Sequence, residues 1–154
     1  MRRRRPEKRQ ILPDPLFNSL SIAKFINYIL HNGKKGVSEK IFYEAMNIIK
    51  SKTKKDGTDI FDIAIKNASP LLEVKTRRIG GANYQVPIEV PKNRQLFLAS
   101  KWIISSAKGR SGKSMSERLA TEFISAANNE GGAIKKKEDV HRMAEANRAF
   151  AHFR

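Results

Sequence analysis

No cysteine occurs among the 154 residues. That removes disulfide frameworks, thiolate zinc sites and cysteine nucleophiles, and an ordinary reducing compartment suffices. Acidic side chains are scarce: 15 Asp and Glu stand against 31 Lys and Arg, a formal charge of +16. Long apolar runs are missing as well. The longest, Leu96 to Ala99, is far short of the roughly 20 residues a membrane-spanning helix needs, so no bilayer crossing is expected. Met1, the arginines Arg2 to Arg5 and then Pro6 lack the apolar middle of a secretory signal and read as a basic arm.

What is present is a 40% hydrophobic chain. A single domain of this length buries roughly 68–70% of its unfolded surface, enough for an independent core. Charge this lopsided destabilises the compact state by self-repulsion, so a polyanionic partner relieves repulsion while adding contacts. Nucleic acid is the commonest such partner.

Residues 1–15 combine six positive charges with Glu7, Asp14 and three prolines, and only Ile11 and Leu12 offer an apolar anchor. Such a segment is expected to be an extended basic arm that does not fold alone. From residue 16 to 154 the pattern predicts one helical domain. Ile22, Phe25, Ile26, Ile29 and Leu30 recur at helical spacing from Leu20, with Asn18 or Ser19 as N-cap and Gly33 as stop. A long second helix carries Ile41, Phe42, Ala45, Met46 and Ile49, and breaks at Lys54-Lys55-Asp56-Gly57. A third runs from Thr58 through Ile60, Phe61, Ala64, Ile65 and Ala68 to Pro70.

The period then changes. Tyr84, Val86, Ile88 and Val90 alternate with Gln85, Pro87 and Glu89, opposite an arm containing Val74, Thr76 and Ile79. This predicts a hairpin over 73–90, turning at Gly80, Gly81, Ala82 and Asn83. Pro87 lacks a ladder donor, which suits a two-stranded ribbon projecting from the body. A fourth helix presents Leu96, Ala99, Ile103 and Ala107. A fifth opens at Ser114 with Glu117 three residues on, a capping box, and continues through Phe123 to Gly131. A sixth takes Val140, Met143, Ala144, Phe150 and Phe153. The fold class is therefore mainly α, a six-helix bundle-like body with a β-hairpin between the third and fourth helices.

Two motifs invite enzymatic readings. Ala107 to Ser114 is one residue from a phosphate-binding P-loop, but its first position is Ala and it follows a helix where the motif requires a strand. It reads instead as a basic loop for a phosphate backbone. Glu138, His141 and Glu145 imitate a metal set, yet di-metal bundles need a second such motif, and the other histidines are only His31 and His152. No Ser, His and carboxylate fall into a recognisable catalytic frame. No catalytic residue, metal or cofactor is expected.

The basic clusters fit nucleic acid better. Prolines within the Arg2 to Arg9 cluster favour an arm threaded along a negatively charged groove. Lys34 and Lys35 follow Gly33, where loop amides can join two ammonium groups around a phosphate. Lys75 and Arg77 fall on one face of the hairpin and Arg78 on the other, all near the tip. Guanidinium groups can fork across phosphate oxygens or stack on an unpaired base, and Tyr84 supplies a ring nearby. Lys135, Lys136 and Lys137, placed just before the sixth helix, form another patch that Arg142 and Arg148 extend. Trp102 is read as core.

The chain resembles the small-subunit ribosomal protein seven family of bacteria and plastids. The likeness runs from Lys8 to Arg154 and rests on Lys8-Arg9-Gln10-Ile11-Leu12-Pro13-Asp14-Pro15, the Gly33-Lys34-Lys35 loop, the hairpin Glu73 to Val90 and the ending Lys135 to Arg154. It implies six helices with a protruding ribbon, in a ribosome of the bacterial cytoplasm or plastid stroma. It also implies direct binding to the 3′ major domain of small-subunit ribosomal RNA, nucleation of head assembly, and a place at the subunit interface near the decoding centre. The hairpin would lie beside exit-site tRNA and the messenger, with Arg78, Gly80, Gly81, Asn83 and Tyr84 nearest, and ribosomal proteins nine and eleven would be neighbours. By position, the RNA-facing residues would be Arg3, Arg4, Arg5, Arg9, Lys34, Lys35, Lys75, Arg77, Arg78, Arg110, Lys113, Lys136, Lys137 and Arg142.

Two departures temper the transfer. Where many relatives carry an Arg-rich stretch after Val90, this chain reads Pro91-Lys92-Asn93-Arg94, which weakens an RNA contact before the fourth helix. It also ends at Arg154, where many bacterial relatives add a Trp and a tail. Composition alone also permits a DNA-compacting protein, and an RNA-processing enzyme would need a constellation that is not found.

Overall fold

The computed structural model describes residues 9–112 and 114–153. The helical stripes become α1 (Leu20–Ile29), α2 (Lys35–Thr53), α3 (Gly57–Ala68), α4 (Lys92–Gly109), α5 (Met115–Ala127) and α6 (Gly132–Ala146). Strands β1 (Leu72–Ile79) and β2 (Ala82–Glu89) separate α3 from α4, and a 3₁₀ turn, Arg148–Phe153, follows α6. Ser19 caps α1 through its hydroxyl, which accepts from the Ile22 N–H, and Ser114 accepts likewise from Glu117. α3 starts at Gly57, one residue before its Thr58 signal, and Gly57 lies against α2. A Cβ there would sit 3.1 Å from the Met46 side chain and carbonyl.

Four phenylalanines organise the centre. Phe25, Phe42, Phe61 and Phe123 come from α1, α2, α3 and α5, are fully buried, and touch one another in all pairings, with centroids 5.3–6.4 Å apart. Most pairs are edge-to-face or tilted, the arrangement the ring quadrupole favours. Alanines on the same stripes, Ala45, Ala64, Ala120 and Ala126, are fully buried and let the helices close around the rings.

α4 joins this centre through buried Ala99, Ile103, Ile104 and Ala107, and α6 through Ala133 and Ile134, and polar contacts tie both to α5. Glu122 on α5 is completely buried. Its carboxylate accepts from the Arg110 Nε just beyond α4 and, at 3.0 Å, from the Ala133 N–H in the first turn of α6. One buried anion therefore holds three helices and satisfies an otherwise unpaired helix-start amide. Asn67 at the end of α3 donates to the Ala126 and Ala127 carbonyls of α5, and its own carbonyl accepts from Lys137 Nζ at 2.7 Å.

The ribbon is antiparallel, with Ile79 opposite Ala82. The turn is therefore only Gly80-Gly81, and Ala82 and Asn83 belong to β2 instead of the expected four-residue turn. Both glycines have positive φ, +56° and +89°, the pattern of the tightest hairpin turn. The alternation is also less clean than expected: Val86 and Pro87 are buried side by side. α6 and the 3₁₀ turn both pack against the ribbon, so residues of either parity can be covered. His141 on α6 adds a specific clamp, its Nε2 accepting from the Leu71 N–H at 3.0 Å.

The sixth helix differs at both ends from its expected course. It begins at Gly132, so Lys135, Lys136 and Lys137 lie within it, and it stops at Ala146. The Asn147 side chain donates to the Met143 carbonyl, and the chain tightens into the 3₁₀ turn, which carries Phe150 onto Tyr84 at 5.4 Å.

Burial and then the Lys137 charge hold the His141 pKa below its ordinary 6.5. A folded-state value below the unfolded one means that this contribution is whole above about pH 6.5 and is lost as pH falls through the folded value. Stability measured by urea unfolding is therefore expected to decline on acidification just below 6.5, and His141→Gln should flatten that decline. For the Glu122 junction, Arg110→Ala leaves a fully buried carboxylate without its cation and should cost about 3 kcal/mol. Glu122→Gln keeps an acceptor for Ala133 and should cost about 1 kcal/mol. Equal losses in urea titrations would contradict this order.

Candidate nucleic-acid interface

Of the expected RNA-facing residues, Arg3, Arg4, Arg5 and Lys113 lie outside the described residues. Arg9 is exposed at the start of the described arm. The arm is not anchored by Ile11 and Leu12, which are 40% and 83% exposed. Its fixed point is Asp14, only 3% exposed. One Asp14 carboxylate oxygen accepts from the Leu16 and Phe17 N–H groups and the other from the Tyr43 hydroxyl at 2.7 Å. An apolar plug would serve at any register, whereas a buried carboxylate with three donors fixes one. Burial, the bond to Asp14 and the charges of Asp14 and Glu39 together push the Tyr43 pKa up to about 12.

Lys34, the N-cap of α2, and Lys35, its first residue, are exposed. Their backbone amides do not form the expected phosphate cradle, because Lys34 N donates to His31 O and Lys35 N to Gly33 O. The ammonium groups supply the charge there. Lys35 also lies 3.6 Å from Glu39.

Lys75, Arg77 and Arg78 are exposed on β1, and among the described residues none has an ion pair. Gly80, Gly81 and Asn83 are exposed at the tip. Arg78 stands opposite Asn83 and Arg77 opposite Tyr84. Tyr84, expected to offer a ring to RNA, packs that ring on Phe150 instead.

Three further cations are tied into the body to different degrees. Arg110 is engaged by Glu122 and Ser125, and Lys137 by the Asn67 carbonyl. Arg142 forms an exposed pair with Asp139 at 3.7 Å. Lys135 and Lys136 are exposed in the early turns of α6, where the helix dipole disfavours positive charge. Their position is better explained by something negative outside than by the helix itself.

The sequence reading passed over a second cationic track. Arg94 on α4 is ion-paired with Glu73 on β1 at 3.3 Å and lies 5.1 Å from the centre of the Phe97 ring. Phe97, Lys101, Ile104 and Lys108 then repeat at helical spacing toward the C-terminal end of α4. That spacing was visible, but the element facing it, α1 with Tyr28, was not. The chemistry offered by all these groups is cationic and aromatic contact with a polyanion. Among the described residues no group of three His, Asp or Glu is placed to hold a metal ion.

Comparison with known proteins agrees with this surface. The family described as ribosomal protein S7p/S5e matches residues 1–148. The small ribosomal subunit protein uS7 of Thermotoga maritima is 57% identical over 154 residues, covering 100% of this chain and 99% of the relative. Those of Caldanaerobacter subterraneus subsp. tengcongensis and Teredinibacter turnerae are 56% and 53% identical, covering 96% and 99% of this chain and 94% and 98% of theirs. The chain belongs to the ribosomal protein S7p/S5e family, a structural and non-enzymatic constituent of the small ribosomal subunit.

Proposed function

We propose that the chain binds directly to the 3′ major domain of small-subunit ribosomal RNA and nucleates assembly of the subunit head. The observation that carries this reading is the set of exposed cations held on one packed body: Lys34 and Lys35 at one loop, Lys75, Arg77 and Arg78 on the ribbon, and Lys135 and Lys136 on α6. Rigid separations let these groups meet several RNA helices at a junction together, so the protein selects one RNA fold over others. Double-stranded RNA hides its base edges in a deep, narrow groove, so the contacts are chiefly to phosphate, 2′-hydroxyl and shape. Arg3, Arg4, Arg5, Arg9 and Lys113 also bind RNA in this reading, whereas Arg110, Lys137 and Arg142 reach RNA only with whatever donors their internal partners leave.

The ribbon, with Arg78, Gly80, Gly81, Asn83 and Tyr84 toward its end, faces the exit-site tRNA and the messenger near the decoding centre. Ribosomal proteins nine and eleven are the protein neighbours in this reading. What supports the ribbon's part is its exposed tip together with a clamped base, which makes it a projection of defined direction.

Phosphate neutralisation releases counterions, so affinity should fall steeply with salt. By analogy with duplex DNA, 6 to 10 contacts imply a loss of ~10³ to 10⁵ between 50 and 200 mM. Filter binding to a folded 3′ major domain fragment should show that slope, and Arg77→Ala with Arg78→Ala should lower it by about two. Duplex DNA should compete poorly. A salt-independent constant, or equal competition by a scrambled RNA of the same length, would dispose of the scaffold reading.

A further inference from the structure

Between α1 and α4 lies an open cleft of about 390 Å³, lined by Tyr28, Phe97, Lys101, Ile104, Ser105 and Lys108. We infer that this cleft holds one unpaired nucleobase of the ribosomal RNA, stacked against the Tyr28–Phe97 ring pair, with its flanking phosphates on Lys101 and Lys108. The inference rests on the RNA-binding reading above and assigns it a site where a base is held by its ring face.

Three features single out this occupant. The first is the ring pair: Tyr28 and Phe97 meet edge to face, centroids 5.4 Å apart and planes at 83°, so their surfaces form a corner instead of closing on each other. Tyr28 is 36% exposed, whereas Ile22, Phe25 and Ile26 of the same helix are buried. The second is charge. Lys101 Nζ sits 5.8 Å from the Phe97 ring centre, Lys108 lies two turns further along α4, and no carboxylate lines the cleft. An apolar floor rimmed only by cations suits a flat, anionic-backed ligand and opposes an acid-free apolar peptide, which would leave both ammonium groups without a counter-charge. The third is hydrogen bonding. The Tyr28 and Ser105 hydroxyls have no partner among the described residues, so both are free to meet the polar edge of a base.

The cleft is also in the right place for a continuous strand. Arg94, paired with Glu73 of the ribbon, begins the track, and Lys108 ends it 14 residues later on one helix, a span of about 21 Å. A single strand leaving the ribbon can lay its phosphates along α4 while one base turns inward. Every base has a ring face, so stacking here adds affinity without demanding one nucleotide identity, and the two hydroxyls supply whatever discrimination there is.

The test is equilibrium binding of the full chain to the 3′ major domain fragment between 50 and 200 mM salt, for the parent, Tyr28→Leu, Phe97→Leu and Lys108→Ala. Thermal melts confirm that each variant is folded, and Tyr28→Leu, at a more exposed position, serves if Phe97→Leu is not. Each ring variant should bind about tenfold more weakly at every salt concentration with the slope unchanged, because a ring contact releases no counterion. Lys108→Ala should instead make the slope shallower by about one. Chemical probing should show one unpaired base protected by the parent and exposed with Tyr28→Leu. Ring variants that bind within twofold of the parent, with no base released, would overturn this inference alone. A parent with no preference for the ribosomal fragment would overturn the scaffold reading and this inference with it.

Discussion

Mutual contact among Phe25, Phe42, Phe61 and Phe123 is the constraint from which the other placements follow. Four rings from four helices cannot all touch unless those helices converge at one point, and convergence leaves few choices for where the helix ends emerge. α4 and α6 pack their own apolar residues onto this centre, and the Glu122 carboxylate, which only closes if both helix termini arrive at it, fixes how their ends meet. The ribbon comes last: α6 clamps its base at Leu71 and the 3₁₀ turn meets it further out at Tyr84. Each level thus inherits its geometry from the one below, and cations far apart in the chain acquire fixed distances without touching one another.

Much of this order was readable from residue spacing. All four phenylalanines stood on helical stripes, and capping signals at Ser19 and Ser114 marked true helix starts. Two of the misreadings share a physical cause. The paired burial of Val86 and Pro87 and the early start of α6 depend on neighbours distant in sequence, which local periodicity does not register, whereas the two-residue turn is local to Gly80-Gly81. Asp14 shows the same limit: one of two acids in a basic arm looks like a minor charge correction, and only Tyr43, 29 residues away, makes it an anchor. For the interface, the positions of the charged groups were readable, but their engagement was not. Nothing local distinguishes Arg77, which is exposed, from Arg110, whose guanidinium serves Glu122.

Formal charge therefore overstates what this molecule presents to a partner. Arg110, Arg94 and Lys137 each satisfy an internal group, and the exposed pairs of Arg142 and Arg148 are partly screened by their own acids. Less compensated cations include those at the α1–α2 loop, on β1 and in the early turns of α6, and Lys101 and Lys108 on α4. Keeping net charge on the exposed surface, away from the ring cluster, limits self-repulsion within the core while keeping a strong field outside.

Ending the ribbon in Gly80-Gly81 has a geometrical corollary. With no side chains at its apex, the molecule is thinnest there, barely two backbones across, and whatever it approaches end-on encounters peptide groups before anything else. A blunt, chemically plain point can slip into a narrow channel between larger bodies, and the cations set back along its shaft act as collars that govern how deeply it enters.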